Sequence, residues 1–220
     1  MELHLERHRY LSAIALFAGV LVTSSLASAS VIVTGQLVVP NPIPTDLTES
    51  GPTANSSLFY LIPEVSNVIL PQDVPAGGII GGMIPMGTKI DAYIIHADTL
   101  ALAGTIYTGS VTFDTPILGI YVKDATLDFS DTLATDYGSP ILIYPTGFAN
   151  RGLELPPDGV DSVILSPDHR TITLTLNTSV SSLDELRLMV ATPVPEPASI
   201  GMAGLGLVSL GFVAYRRRRA

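Results

Sequence analysis

Four aspartates, Asp124, Asp128, Asp131 and Asp136, fall within one short stretch. Carboxylates and loop carbonyls are what calcium prefers, and the ion takes about six to eight oxygens. The D-x-D-x-D-G order of an EF-hand loop is missing, so a calcium site built from these residues would be irregular. The plain alternative is solvated aspartates on strand ends and turns. His96 and His169 are the histidines of the central region, and a zinc site would need both to converge with carboxylates, which their spacing does not ensure. His169 follows Ser166-Pro167-Asp168, a turn with proline at its second position, where a solvated side chain is expected. His96 sits in an apolar run and reads as a satisfied strand-end or core residue. No G-x-S-x-G elbow accompanies the serines. Cysteine is absent, which removes disulfides, thiol chemistry and cysteine zinc sites. Paired carboxylates for glycosidic cleavage depend on a separation that only the fold sets.

The elements that must position these residues read as strands. Hydrophobic residues make up 47% and charged residues 14% of the chain, a balance that excludes a disordered polymer and allows a real core. Nineteen glycines and 17 prolines punctuate β-branched runs, which favours short strands and turns. Strand candidates are 30–39, 57–62, 66–70, 89–98, 105–114, 116–124, 125–131, 163–165, 171–176 and 185–190. Residues 40–55 form a proline-rich loop, and 73–87, with five glycines, a long connection rather than a helix. Gly77–Gly82 reads G-G-I-I-G-G but lacks the strand, helix and lysine of a phosphate cradle. In the run 105–113, Ile106, Thr108, Ser110 and Thr112 alternate with Tyr107, Val111 and Phe113, so one side of that strand is wet. Ile172, Leu174 and Leu176 should face the core. No amphipathic helix of ten or more residues is expected. The fold class is therefore all-β, an antiparallel β-sandwich or jelly-roll-like ectodomain spanning 30–192. Residues 30–193 carry 17 acidic against five basic side chains, a formal charge of −12; such a field repels nucleic-acid phosphates and favours cations or simple solubility.

Both ends of the chain carry address signals. Arg7, His8 and Arg9 precede an apolar run at 11–22 and then Ala27-Ser28-Ala29, the pattern of a signal peptide over 1–29 cut after Ala29 by the general secretion machinery. At the other end stand Val194-Pro195-Glu196-Pro197-Ala198-Ser199, 16 uncharged residues at 200–215, and Arg216, Arg217, Arg218 and Arg219. As a helix the apolar run would reach ~24 Å, short of the ~30 Å hydrocarbon core. Its glycines weaken it further, which suits a temporary anchor. The arginines hold the C-terminus inside.

Pro195-Glu196-Pro197, the short glycine-rich apolar stretch and the arginine run together resemble the PEP-CTERM sorting signal, over residues 193–220. The resemblance implies an exported bacterial protein whose tail is cut by exosortase, a membrane cysteine protease, with Pro195, Glu196 and Pro197 as the recognised segment. Tails of this kind also bear the label ice-binding protein C-terminal domain, which is no evidence of ice binding. GTKIDAYIIHAD, GSVTFDTPILGIYV, RGLELPPDGVDSVILSPDHRTITLTL and DELRLMV, within 57–191, further resemble uncharacterised PEP-CTERM ectodomains, which implies no activity.

The function expected is that of a non-enzymatic exported protein, anchored transiently through its C-terminal helix and then placed at the cell surface or outside. The resemblance implies a structural role in extracellular polymeric material. A carbohydrate-binding module, calcium-dependent if the aspartates bind, is the alternative; it lacks tryptophan, the best stacking residue for sugars. A small secreted hydrolase stands third.

Overall fold

A glycine decides the first step of the fold. In the computed structural model, which describes residues 28–102, 104–136, 142–157, 159–179 and 181–193, strand β1 (Val31–Gly35) ends on Gly35 at φ +73°. A Cβ there would stand 2.5 Å from the Thr108 carbonyl oxygen, so only glycine permits the close approach and the left-handed turn. The chain then leaves one sheet for another, and Leu37–Val38 (β2) begins the second. The single strand expected over 30–39 is thus two, split at this kink.

The remaining strands are β3 (Phe59–Ile69), β4 (Val74–Pro75), β5 (Met83–Ile84), β6 (Lys89–Ala97), β7 (Thr105–Phe113), β8 (Ile117–Tyr121), β9 (Ser162–Leu165), β10 (Thr171–Thr178) and β11 (Asp184–Ala191). One sheet has the order β1-β7-β10-β9, the other β2-β3-β6-β11-β8, and β4 and β5 form a small ribbon. All pairings between these strands are antiparallel except β2 with β3. The chain is mostly β, as its composition implies.

Both large sheets contribute to one core. Val111 and Phe113 of β7 and Ile172, Leu174 and Leu176 of β10 are buried together with Leu61, Tyr93, Ile95, Leu186 and Leu188 of the five-stranded sheet. The Phe113 and Tyr93 rings meet at 5.0 Å between centroids, and Phe59 meets Tyr107 at 5.7 Å. Strand β10 alternates as its sequence does, with Ile172 opposite Leu165 across the β9–β10 hairpin. The outer face of the four-stranded sheet is the wet side, where Thr34 meets Ser110 at 2.7 Å and Thr112 meets Thr171 at 2.9 Å between hydroxyl oxygens.

The five-stranded sheet is covered on its other face as well, which is why β11 is buried almost throughout. Part of the cover is a helix where a strand is expected. Residues 125–131 belong to α2 (Asp124–Asp136), which follows the one-turn α1 (Gly77–Ile80) of the 73–87 connection. Among the described side chains of α2 the buried ones are Leu127, Ser130 and Asp131, a helical spacing of three and four. The apolar residues Ala125, Leu127 and Phe129 alternate only by coincidence, and Phe129 is exposed. Asp124 lies in the first turn, where negative charge suits the helix dipole.

The break expected at Pro63 and Glu64 is instead a bulge within the continuous β3, whose register to β6 shifts between Pro63 and Val65 and again before Val68. Among the described residues no helix is long and apolar enough to cross a membrane; residues 1–27 of the signal peptide expected over 1–29, and the tail from 194 with its apolar run and arginines, lie outside them.

Candidate functional site

On β11, Leu186, Leu188 and Val190 point into the shared core, so Glu185 and Arg187 point the other way, toward α2. Arg187 is 1% exposed. It binds Glu64 through two parallel hydrogen bonds of 2.7 Å and Asp131 at 2.9 Å, and donates also to the Leu127 carbonyl and the Ser130 hydroxyl. The β3 bulge is what presents Glu64 here, since the register shift brackets that residue. Arg151, wholly buried, grips Asp131 at 2.7 and 2.9 Å, Asp128 at 3.0 Å and Glu185 at 2.5 Å. Glu185 continues to His96 Nδ1 at 2.7 Å, and His96 Nε2 to the Thr53 hydroxyl at 2.9 Å. Tyr144 donates to Glu64 at 2.6 Å and lies under the Arg187 guanidinium, 5.1 Å from ring centre.

A continuous ionic chain thus runs from Thr53 to Tyr144 and fastens α2 and the 142–151 segment to the outer face of the five-stranded sheet. Burial alone would raise the Asp131 carboxyl, but the hydrogen bonds and charges of Arg151 and Arg187 outweigh it and hold the group below its ordinary value. Burial would likewise lower both arginines, and their carboxylates raise them instead.

This arrangement tells against calcium at Asp128 and Asp131. Asp128 and Asp131 spend their oxygens on Arg151 and Arg187, and a cation placed among them would face two guanidinium charges. Asp124 is raised by burial and by the neighbouring Asp128, and the Asp136 side chain lies outside the described ones. His96 is the satisfied core histidine its strand implies. His169 is exposed in its turn at φ +57°. The two histidines are not brought together. Ala29, expected as the last residue removed with the signal peptide, is 7% exposed in the core and donates its N–H to Asp91 at 2.8 Å.

A different carboxylate group converges where the sequence gives little sign of it. Glu154, Asp161 and Asp184 each place an oxygen within 4.8 Å of the others. Asp161 accepts the N–H groups of Glu154 at 2.8 Å and Asn177 at 2.9 Å. Asp184 opens β11 and is fully buried, and among the described residues no donor lies at hydrogen-bond distance from either of its oxygens. Desolvation, then the charges of Asp161 and Glu154, push its carboxyl up to about 8 against a weaker opposing pull from the Asn177 N–H. Glu154 and Asp161 share one loop, and Asp184 joins them from the start of β11. The available signal was a charged residue flanked by apolar ones, as at Glu154; the same signal marks Glu64 and Arg187, which sequence reasoning also missed.

The described domain ends where Thr192 donates its hydroxyl to Asp91 at 2.9 Å and its N–H to the Lys89 carbonyl at 3.1 Å. Immediately beyond, residues 193–219 match a family model described as the PEP-CTERM protein-sorting motif. The chain carries a PEP-CTERM sorting motif. Pro195, Glu196, Pro197 and the arginines 216–219 all fall inside the PEP-CTERM match, which marks the chain as an exported target of exosortase. The match does not extend into residues 57–191. Neither a curated protein nor a solved structure matches the chain.

Proposed function

We propose that this is a structural protein of the cell envelope or its extracellular matrix: a β-sandwich passenger carried out by an N-terminal signal peptide, anchored briefly by the apolar run 200–215, and released or transferred when exosortase cuts the PEP-CTERM tail. The observation that carries the reading is the sorting motif at 193–219. A non-catalytic role is supported by where the ionisable groups lie. Arg151, Arg187, Glu64 and Glu185 are enclosed and bonded to one another, an arrangement that specifies packing. The outer face of the four-stranded sheet offers threonine and serine hydroxyls, and the tyrosine of its central strand, Tyr107, is buried, so stacking on a sugar ring has no platform there. Association with extracellular polysaccharide would then rest on polar contacts.

Processing tests the reading. Glu196→Ala, or deletion of residues 216–219, should leave full-length protein accumulating in the membrane fraction. The unaltered chain should yield a form shortened at its C-terminus and recovered with the surface or extracellular polymer. Identical C-terminal masses for variant and unaltered protein would overturn the sorting role. Correct processing followed by complete recovery as free soluble protein would overturn the matrix role.

A further inference from the structure

The corner where the loop 154–161 meets the start of β11 concentrates negative charge without a basic side chain to answer it. Among the described residues no ion pair involves Glu154, Asp161 or Asp184; Arg151 and Arg187 are committed elsewhere. The loop is built to hold its carboxylates in place. Glu154 N–H donates to Asp161, Asp161 N–H donates to the Glu154 carbonyl at 3.1 Å, and the two strap the loop shut. Gly159 passes so close that a Cβ would fall 1.7 Å from the Glu154 carbonyl oxygen. Into this strapped loop projects Asp184, fully enclosed and, among the described residues, without a hydrogen-bond partner for either oxygen. A buried, unsatisfied carboxylate costs free energy unless something answers its charge.

The spacing fits an ion. Calcium–oxygen distances are about 2.3–2.6 Å, so oxygens on opposite sides of one calcium lie about 4.6–5.2 Å apart, and these three oxygens are mutually within 4.8 Å. We propose that Glu154, Asp161 and Asp184 bind a calcium ion, which fastens the first residue of β11 to the 154–161 loop. Each Asp161 oxygen retains a lone pair beyond the one its backbone donor uses, so the loop strap and the ion coexist. The exposed Glu154 is the side from which the ion enters and keeps its remaining water. Calcium is favoured over magnesium because the site is enclosed and irregular; magnesium sheds water reluctantly and demands a near-octahedral shell.

Full-length protein stripped with EDTA and freed of the chelator supplies the test, with calcium chloride and magnesium chloride added in parallel. Calorimetric titration should show one equivalent of calcium bound, and millimolar calcium should raise the unfolding temperature by several degrees, with a much smaller rise in magnesium. Asp184→Asn keeps the shape of the side chain without its charge, so the variant should fold and lose the calcium response. Glu154→Gln, at an exposed position, covers the case in which Asp184→Asn does not fold, and should weaken calcium binding at least tenfold. Asp168→Asn, on the exposed β9–β10 turn, should leave the response unchanged. An unfolding temperature indifferent to calcium in the unaltered chain, or a response undiminished in Asp184→Asn and Glu154→Gln, overturns the proposal.

Discussion

Arg187 shows how this protein tolerates charge in its interior. Its five N–H groups all find acceptors, in Glu64, Asp131, Leu127 and Ser130, so enclosure leaves none stranded. Lysine, with three donors on a single atom, could not repeat the fork. Asp131 is the hinge of the arrangement, because among the described residues it alone accepts hydrogen bonds from both arginines. Removing it by Asp131→Ala leaves two buried guanidinium groups short of an acceptor and should cost ~3–5 kcal/mol at neutral pH. The loss should also depend on pH in a defined direction. The Asp131 carboxyl is held below its ordinary value in the fold, so its contribution is complete above the unfolded-state value of about 4 and disappears as pH falls through the folded one. Urea midpoints of the unaltered chain and Asp131→Ala should therefore converge in acid, below about pH 4. A gap that stays constant down to pH 3 would show that the charge of Asp131 is not what the site uses.

At the scale of elements, strand β6 joins the beginning and the end of the domain. Its Asp91, fully buried, accepts from Ala29 N–H, Asn67 N–H and the Thr192 hydroxyl, at 2.8, 2.8 and 2.9 Å. A chain beginning at Ser30 lacks the first of these donors and should be less stable than one beginning at Ser28 by ~1–3 kcal/mol, the cost of stranding part of a buried acceptor. Urea unfolding of the two proteins would measure it, and equal midpoints would show Ala29 to be dispensable. The elements differ in how readily the sequence discloses them. The β9–β10 hairpin and the faces of β7 were legible because each strand alternates and each turn carries its own residues, Pro167 and Asp168 among them. The kink at Gly35 and the bulge at Glu64 were not, since both answer to neighbouring strands. Helix α2 was hidden by its own burial pattern: its inward face includes Ser130 and Asp131, polar residues made acceptable by arginines distant in the chain. Long-range pairing of this kind is also what conceals the Glu154, Asp161 and Asp184 group.

The whole molecule divides its information between a local signal and a distributed one. The tail is recognised by short chemistry in fixed order, Pro-Glu-Pro, apolar run and arginines, and could be read directly. The passenger's sites require residues far apart to meet, and only the fold reveals them. The two parts adjoin in sequence: among the described residues Thr192 makes the last hydrogen bonds to the fold, and the sorting match begins at residue 193. A passenger that loses its tail must remain folded afterward, and the position of that boundary provides for it. A chain ending at Pro193 should unfold within ~2 °C of the full-length protein, because the sheets, the ionic chain and the Asp91 clasp all lie before the cut. Ending the chain at Ala191 instead removes both Thr192 hydrogen bonds, to Asp91 and to Lys89. The expected loss is ~1–3 kcal/mol, or roughly 2–12 °C for a domain of this size. Thermal unfolding of the three proteins separates the alternatives: a large drop already at Pro193 would mean that the tail supports the fold, and no drop at Ala191 would mean that the clasp contributes nothing.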